Sequence, residues 1–299
     1  MKQNRREFLQ TATIAAASIP LLSSASFSRE SKPKFKLSLA EWSLHLALFG
    51  KKMTNLDFPV KAARDFGIFG VEYVSIFFKD TSPAYLNELL KITKDNGVTN
   101  VLIMVDNEGD LGSTDVNVRN KGIEKHHRWV DAAKFLGCKS IRVNARGTGT
   151  PEEVADAAAD SLTRLSEYGA KQDINIIVEN HGGISSNGKW LTGVMAKVNM
   201  KNCGTLPDFG NFRISETEEY DRYLGVQELM AYAKGVSGKS WDFDAEGNET
   251  KMDYYRLMKI VKDSGYKGWI DIEYEGTRLS EPEGIMATKK LLDKIIATL

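Results

Sequence analysis

The sequence predicts an α/β protein, a single-domain (β/α)8 TIM barrel, and three observations carry that reading. Eight short apolar runs alternate with longer amphipathic stretches: "FKLSLAEWSL", "GVEYVSIFF", "VTNVLIMVD", "SIRVNA", "NIIVEN", "GTLPDF", "GVSGKSWDF" and "GWIDIEYEG". Between them lie segments with helical periodicity, such as "LDFPVKAARDFG", "PAYLNELLKITKDNG" and "EKHHRWVDAAKFLG". Several of these stop on a glycine just before the next run (Gly67, Gly97, Gly137, Gly265), where a helix needs a left-handed residue to end. Pro83 and Pro151 fall at first helical turns, where a missing N–H costs nothing. The rival open sheet expects a glycine-rich dinucleotide turn after its first strand, and "EWSLHLALFGKKM" has none.

The chain of 299 residues is 42% hydrophobic and 27% charged, which suits an ordinary folded protein rather than a disordered one. Its 40 basic and 40 acidic residues cancel, so no electrostatic footprint for nucleic acid is expected. The N-terminus differs from the rest. "MKQNRREFLQTATIAAASIPLLSSASFS" has a basic start with paired Arg5 and Arg6, an apolar stretch from Ile14 to Leu22, and small residues at Ser23 to Ala25. Residues 1–28 therefore read as a twin-arginine-type signal peptide, and residues 35–299 as the barrel. A periplasmic or otherwise exported protein follows, with no stable membrane insertion once the signal is removed. Cys138 and Cys203 open strands that are not neighbours, so two free buried thiols are expected.

In such barrels the chemistry gathers where strands end at the C-terminal face. Three strands end in acids there: Glu179 in "IIVENH", Asp208 in "TLPDFGN" and Glu273 in "IDIEYEG". Burying these carboxylates together is prohibitive without compensation, because like charge and desolvation both oppose ionisation. A divalent cation removes the difficulty. Oxygen ligands favour Mg²⁺ or Mn²⁺, and imidazole favours Zn²⁺ and its relatives. His181 lies two residues beyond Glu179 and shares its face by strand alternation. It is a fourth candidate ligand, or else a contact to substrate or to Glu179.

These pieces, in order from "AEWSLH" through "DAAKFLGCKSIRVNA", "IIVENHGG" and "LPDFGNF" to "IDIEYEG", resemble the xylose isomerase-like barrels of the sugar phosphate isomerase/epimerase superfamily. The resemblance implies one divalent metal (Mn²⁺, Mg²⁺ or Zn²⁺) held by Glu, Asp, His and Glu on strands five to eight. Glu179, Asp208 and Glu273 match three of those positions. Strand seven, which typically reads like "VHVKD" in the family, has Ser237 where the histidine is expected. Asn211 stands where epimerases often carry a substrate-binding histidine. The resemblance further implies that Glu179 and Glu273 exchange a proton beside a sugar carbonyl, while Asp208 is a ligand only.

Other polar residues near strand ends are Glu41, His45, Asn144, Arg146 and Lys239. His45, Asn144, Arg146, Asn211 and Lys239 are the candidate substrate contacts, and Lys239 could alternatively pair with an acid. Trp42 and Trp241 suit stacking on a sugar face, whereas His126 and His127 are explained by a surface helix face. The absence of a phosphate-cradling loop, together with the export signal, favours an unphosphorylated keto-sugar or oxidised glycoside. The expected function is a metal-dependent sugar isomerase or epimerase acting on a small carbohydrate. Two alternatives remain: a 3-keto-glycoside lyase or hydratase with the same site, and a non-catalytic carbohydrate-binding barrel. Homo-oligomers are common among such barrels. An endonuclease IV-like zinc cluster is disfavoured by a chain with only four histidines.

Overall fold

A computed structural model describes residues 35–299, and the export-signal reading of residues 1–28 lies outside them. The eight strands are β1 (Lys36–Ala40), β2 (Gly70–Val74), β3 (Thr99–Met104), β4 (Ser140–Val143), β5 (Asn175–Glu179), β6 (Cys203–Leu206), β7 (Val236–Ser240) and β8 (Trp269–Tyr274). The helix after each strand is α1 (Phe58–Phe66), α2 (Pro83–Asp95), α3 (Val116–Leu136), α4 (Pro151–Ala170), α5 (Gly188–Val198), α6 (Arg222–Leu229), α7 (Tyr254–Asp263) and α8 (Glu281–Thr298). All ladders are parallel, and the order β6-β5-β4-β3-β2-β1-β8-β7 is that of a barrel.

The remaining seam, between β6 and β7, is held by isolated parallel bridges at Thr205–Ala233 and Asp208–Ser237. Pro207 interrupts any regular ladder there because it has no N–H to donate. Its carbonyl instead accepts from Ser237 N, while Phe209 N donates to the Ser237 carbonyl. The chain just past β6 is thereby pinned to β7, which fixes where Asp208 stands.

Two apolar clusters result from strand alternation. The larger one lies between sheet and helices. The smaller, Ala40, Val74, Leu102, Met104, Ile177 and Leu206, fills the barrel interior. Residues two places further along those strands, or on the same face of their neighbours, therefore emerge at the mouth. Glu179 follows Ile177, and Asp208 follows Leu206.

The expected helix starts and stops are present. Pro83 and Pro151 occupy first turns behind capping Ser82 and Thr150. Gly67, Gly97, Gly137 and Gly265 all have positive φ. Cys138 and Cys203 are buried free thiols. The expectation for His126 needs correction. It is buried on α3, with Nδ1 against the Gly122 carbonyl, because that face of the helix packs inward. His127 is partly exposed and stacks on Tyr168 at 3.9 Å. No helix among the described residues is long and apolar enough to cross a membrane.

Gly137 closes α3 at φ +81°, a conformation that costs an L-residue about 1–2 kcal/mol. Gly193, inside α5, has open space around its Cβ direction. Urea unfolding of Gly137→Ala should show a loss of about that size. Gly193→Ala should be neutral or gain about 0.5–1 kcal/mol from helix propensity.

Candidate active site

Glu179, Asp208 and Glu273 converge at the C-terminal mouth. Each offers a carboxylate oxygen, all within 4.8 Å of one another, and all three residues are buried. They are the potential metal ligands that come together among the described residues, and His181 stands outside their cluster.

The peptide around Glu179 explains how the cluster is held. Asn180, the middle residue of the Glu-Asn-His run, donates its amide to the carbonyls of Asp208 and Asn211 and accepts from Asp208 N at 2.8 Å. It ties the end of β5 to the chain beyond β6. Asp208 Oδ1 accepts from the backbone N–H groups of Gly210 and Asn211, each at 2.7 Å. Asp208 Oδ2 is left buried without a hydrogen bond, and so is Glu179 Oε2.

Two buried cations stand against these acids. Arg142, an inward residue of β4, places Nε 2.8 Å from Glu179 Oε2, in an ion pair that lacks hydrogen-bond geometry. Its Nη1 reaches Asp106 at 2.8 Å, and Asn144 donates to the same Asp106 oxygen at 2.7 Å. Lys239, opposite Glu273 in the β7–β8 register, is 2% exposed. Its Nζ lies 2.9 Å from Glu273 Oε1, 3.3 Å from Glu275 Oε2 and 3.6 Å from Asp208 Oδ2. Asn211 bridges the two sides, donating to Glu179 Oε1 at 2.9 Å and accepting from Lys239 at 3.3 Å. Ser237, in the place expected for histidine, donates to Glu273 Oε2 at 3.3 Å.

Burial raises the Glu179 carboxyl to about 8, with Arg142 opposing and Asp208 and Glu273 reinforcing the shift. Burial likewise raises Glu273 to about 7 against the pull of Lys239, and it raises Asp208. Lys239 is buried too, yet Asp208, Glu273 and Glu275 outweigh desolvation and hold the ammonium protonated. Asp106 resists burial through Arg142 and is lowered to about 2.

The remaining sequence candidates divide. His181 Nδ1 lies 2.8 Å from Arg146 Nη2. Burial, Arg142 and Lys239 lower its pKa to about 3, so the imidazole is neutral at ordinary pH. Trp42 lines the central cavity of about 80 Å³ with Asp106, Arg142, His181, Glu273 and Glu275. His45 lies outside that lining. It stacks on Trp42 at 4.9 Å and donates Nδ1–H toward the Trp42 carbonyl, so it braces the indole. Trp241 sits over Gly210 beneath the Lys251 ammonium. Glu41 is a structural tie, accepting from Asn55 Nδ2 and Val74 N at 2.9 Å each.

Asp106, Arg142 and Glu275 were missed by the sequence reading, although each carried a signal. Asp106 ends its run as Glu179 does, Arg142 interrupts an apolar strand, and Glu275 continues the alternation of Glu273.

A barrel whose strand-end carboxylates meet at the mouth is the class of protein defined by this fold and site. The profile of the xylose isomerase-like TIM barrel family matches residues 60–295, and the chain belongs to that family. No curated protein matches the sequence. Among solved structures it is similar to an L-ribulose 3-epimerase (14% identity, TM-score 0.71, covering 88% of this chain and 95% of that one). It is also similar to a xylose isomerase-like TIM barrel protein from Mycobacterium smegmatis in complex with magnesium (16%, 0.63, 80% and 88%). A third is the apo 3-keto-D-glucoside 4-epimerase from E. coli (16%, 0.61, 87% and 100%). At these identities the likeness is one of fold.

Glu41 offers a pH test that does not involve the carboxylate cluster. Burial is the main cause that raises it to about 8, against the hydrogen bonds from Val74 and Asn55. A carboxyl with a raised folded-state pKa stabilises fully below its unfolded value of about 4.3, and that contribution fades as pH climbs to the folded value. Unfolding free energy measured between about pH 4.5 and 8 should therefore decline less steeply in Glu41→Gln than in the parent. One proton accounts for at most about 1.4 kcal/mol per pH unit. An unchanged slope would show that Glu41 stays ionised.

Proposed function

We propose that this protein is an exported sugar isomerase or epimerase that enolises an unphosphorylated keto-sugar or oxidised glycoside. The observation that carries the reading is the meeting of Glu179 from β5 and Glu273 from β8 with Asp208, their carboxylate oxygens within 4.8 Å of one another. Two carboxylates raised toward neutrality are suited to removing and returning a proton. The solved neighbours named for sugar epimerisation support the same chemistry.

The donors fit a hard divalent cation. The buried Asp208 Oδ2 and Glu179 Oε2 lack hydrogen bonds, and the set is all oxygen. Glu179, Asp208 and Glu273 would hold the ion, which supplies Lewis-acid polarisation of a carbonyl. Arg142 and Asn211 orient Glu179, and Lys239 and Ser237 orient Glu273. Trp42 offers an aromatic face in the cavity, while the His181–Arg146 pair presents donors to hydroxyl oxygens at the rim.

A groove of about 420 Å³ adjoins the central cavity through the shared Asp106, lined among others by Ile76, Phe78, Asp80, Asn107 and Arg128. Its polar and apolar mixture suits the second unit of a glycoside, which favours an oxidised glycoside over a free monosaccharide. With such a substrate, expulsion of an oxygen beside the enolised carbon gives the lyase outcome, and product identity distinguishes it from epimerisation. A non-catalytic sugar-binding barrel is the second reading, favoured by the ion pairs that Lys239 and Arg142 already make with the cluster.

Keto-monosaccharides and 3-keto-glycosides incubated with the Mn²⁺-supplied protein in D2O should take up deuterium beside the carbonyl. Glu179→Gln and Glu273→Gln should each slow uptake by about a hundredfold or more. Sugar binding without exchange in any of them would replace the enzyme reading with the binder.

A further inference from the structure

Strand β7 gives this site a cationic neighbour. Its inward residues are Ser237, whose hydroxyl is engaged by Glu273, and then Lys239. The backbone that carries the lysine is held in place. The Tyr254 hydroxyl lies 2.6 Å and 2.7 Å from the carbonyl oxygens of Gly238 and Lys239, holding the strand from the helix side. The ammonium at its end sits among the oxygens that a metal would use, nearest to Glu273 Oε1 at 2.9 Å.

A hard cation binds carboxylate oxygen at about 2.0–2.6 Å. Adding that to the 2.9 Å between Nζ and Glu273 Oε1 keeps the ammonium within about 5.5 Å of any ion seated on that oxygen. Glu179, Asp208, Lys239 and Glu273 are all nearly excluded from solvent, so water screens this repulsion poorly. The lysine also has somewhere to retreat. Glu275 Oε2 and Asn211 Oδ1, each 3.3 Å from Nζ, lie outside the three-carboxylate cluster.

We infer that the Lys239 ammonium is the resident counter-cation of the Glu179–Asp208–Glu273 cluster and competes with a divalent metal for it. A metal enters only as the ammonium withdraws toward Glu275 and Asn211. The inference rests on the metal seat of the proposed function, but not on any reaction occurring there. It leaves the metal-free cluster partly charge-compensated, so that the fold depends less on the ion, and it makes metal affinity low. In a chain with serine where the resemblance implies a histidine ligand, a positive charge from the same strand does part of the neutralising work.

The test is direct titration of Mn²⁺, without sugar, into the parent protein, Lys239→Met, Lys239→Gln and Lys239→Arg. Calorimetry reads the heat, and the electron paramagnetic resonance signal reads free Mn²⁺. The two uncharged variants should bind Mn²⁺ at least tenfold more tightly than the parent, while Lys239→Arg stays as weak. A variant that folds by circular dichroism only when Mn²⁺ is present would report the same exchange of one cation for another. Equal or weaker binding by Lys239→Met and Lys239→Gln, or no binding by any of the four proteins, overturns the competition. Because no sugar is used, failure here is separable from failure of the deuterium-uptake experiment.

Discussion

The neutralisation of carboxylates crowded inside the barrel is the constraint on which the rest of the site depends. Glu72, Glu179, Asp208, Asp271 and Glu273 are all buried, and the buried cations facing them are Arg142 and Lys239. Two different solutions operate at two depths. Lower in the barrel, Glu72 accepts from Ser38 and Asp271 accepts from Gly238 N, each keeping one buried oxygen without a hydrogen bond. Burial raises Glu72 to about 7 and lifts Asp271 well above the usual carboxylate range, and neither makes an ion pair among the described residues. At the mouth, the acids instead pair with the Arg142 and Lys239 side chains. The difference suits function, because an acid paired with a side-chain cation can exchange that partner for a ligand.

The barrel's least regular joint is what builds the reactive layer. Pro207 removes a ladder donor between β6 and β7, and the chain compensates with bridges from neighbouring positions. Asp208 sits at that joint, its backbone N–H held by the Asn180 amide and its Oδ1 by two backbone N–H groups. One of its oxygens is thus fully occupied with holding position, and the other is left free for a cation. The Asn180 side chain contributes by carrying the end of β5 across to the same joint. The Glu-Asn-His run therefore combines a cluster carboxylate, a structural clamp and a rim imidazole in three consecutive residues.

The rim is organised by pairs rather than by single residues. His181 is matched with Arg146, His45 with Trp42, and Trp42 Nε1 with Glu275. The His181–Arg146 and Trp42–Glu275 pairs link loops after different strands, whereas His45 and Trp42 both follow β1. Glu275 belongs both to this rim and to the Lys239 ion-pair network, which couples the cavity wall to the cluster below it.

The eight strands, the helix stops at glycines with positive φ, and the acids at the ends of β5, β6 and β8 were legible in the sequence. They follow from local rules: alternation along a strand, periodicity along a helix, and the steric freedom of glycine. Which charge meets which was not legible. Lys239 pairing with Glu273, Arg142 lying between Asp106 and Glu179, and His181 turning to Arg146 all depend on the stagger between strands as the barrel closes. The burial of His126 was likewise decided by how α3 packs, not by its polar neighbours in sequence. Local chemistry fixes where each strand points its residues, and only ring closure sets the distances between residues of different strands.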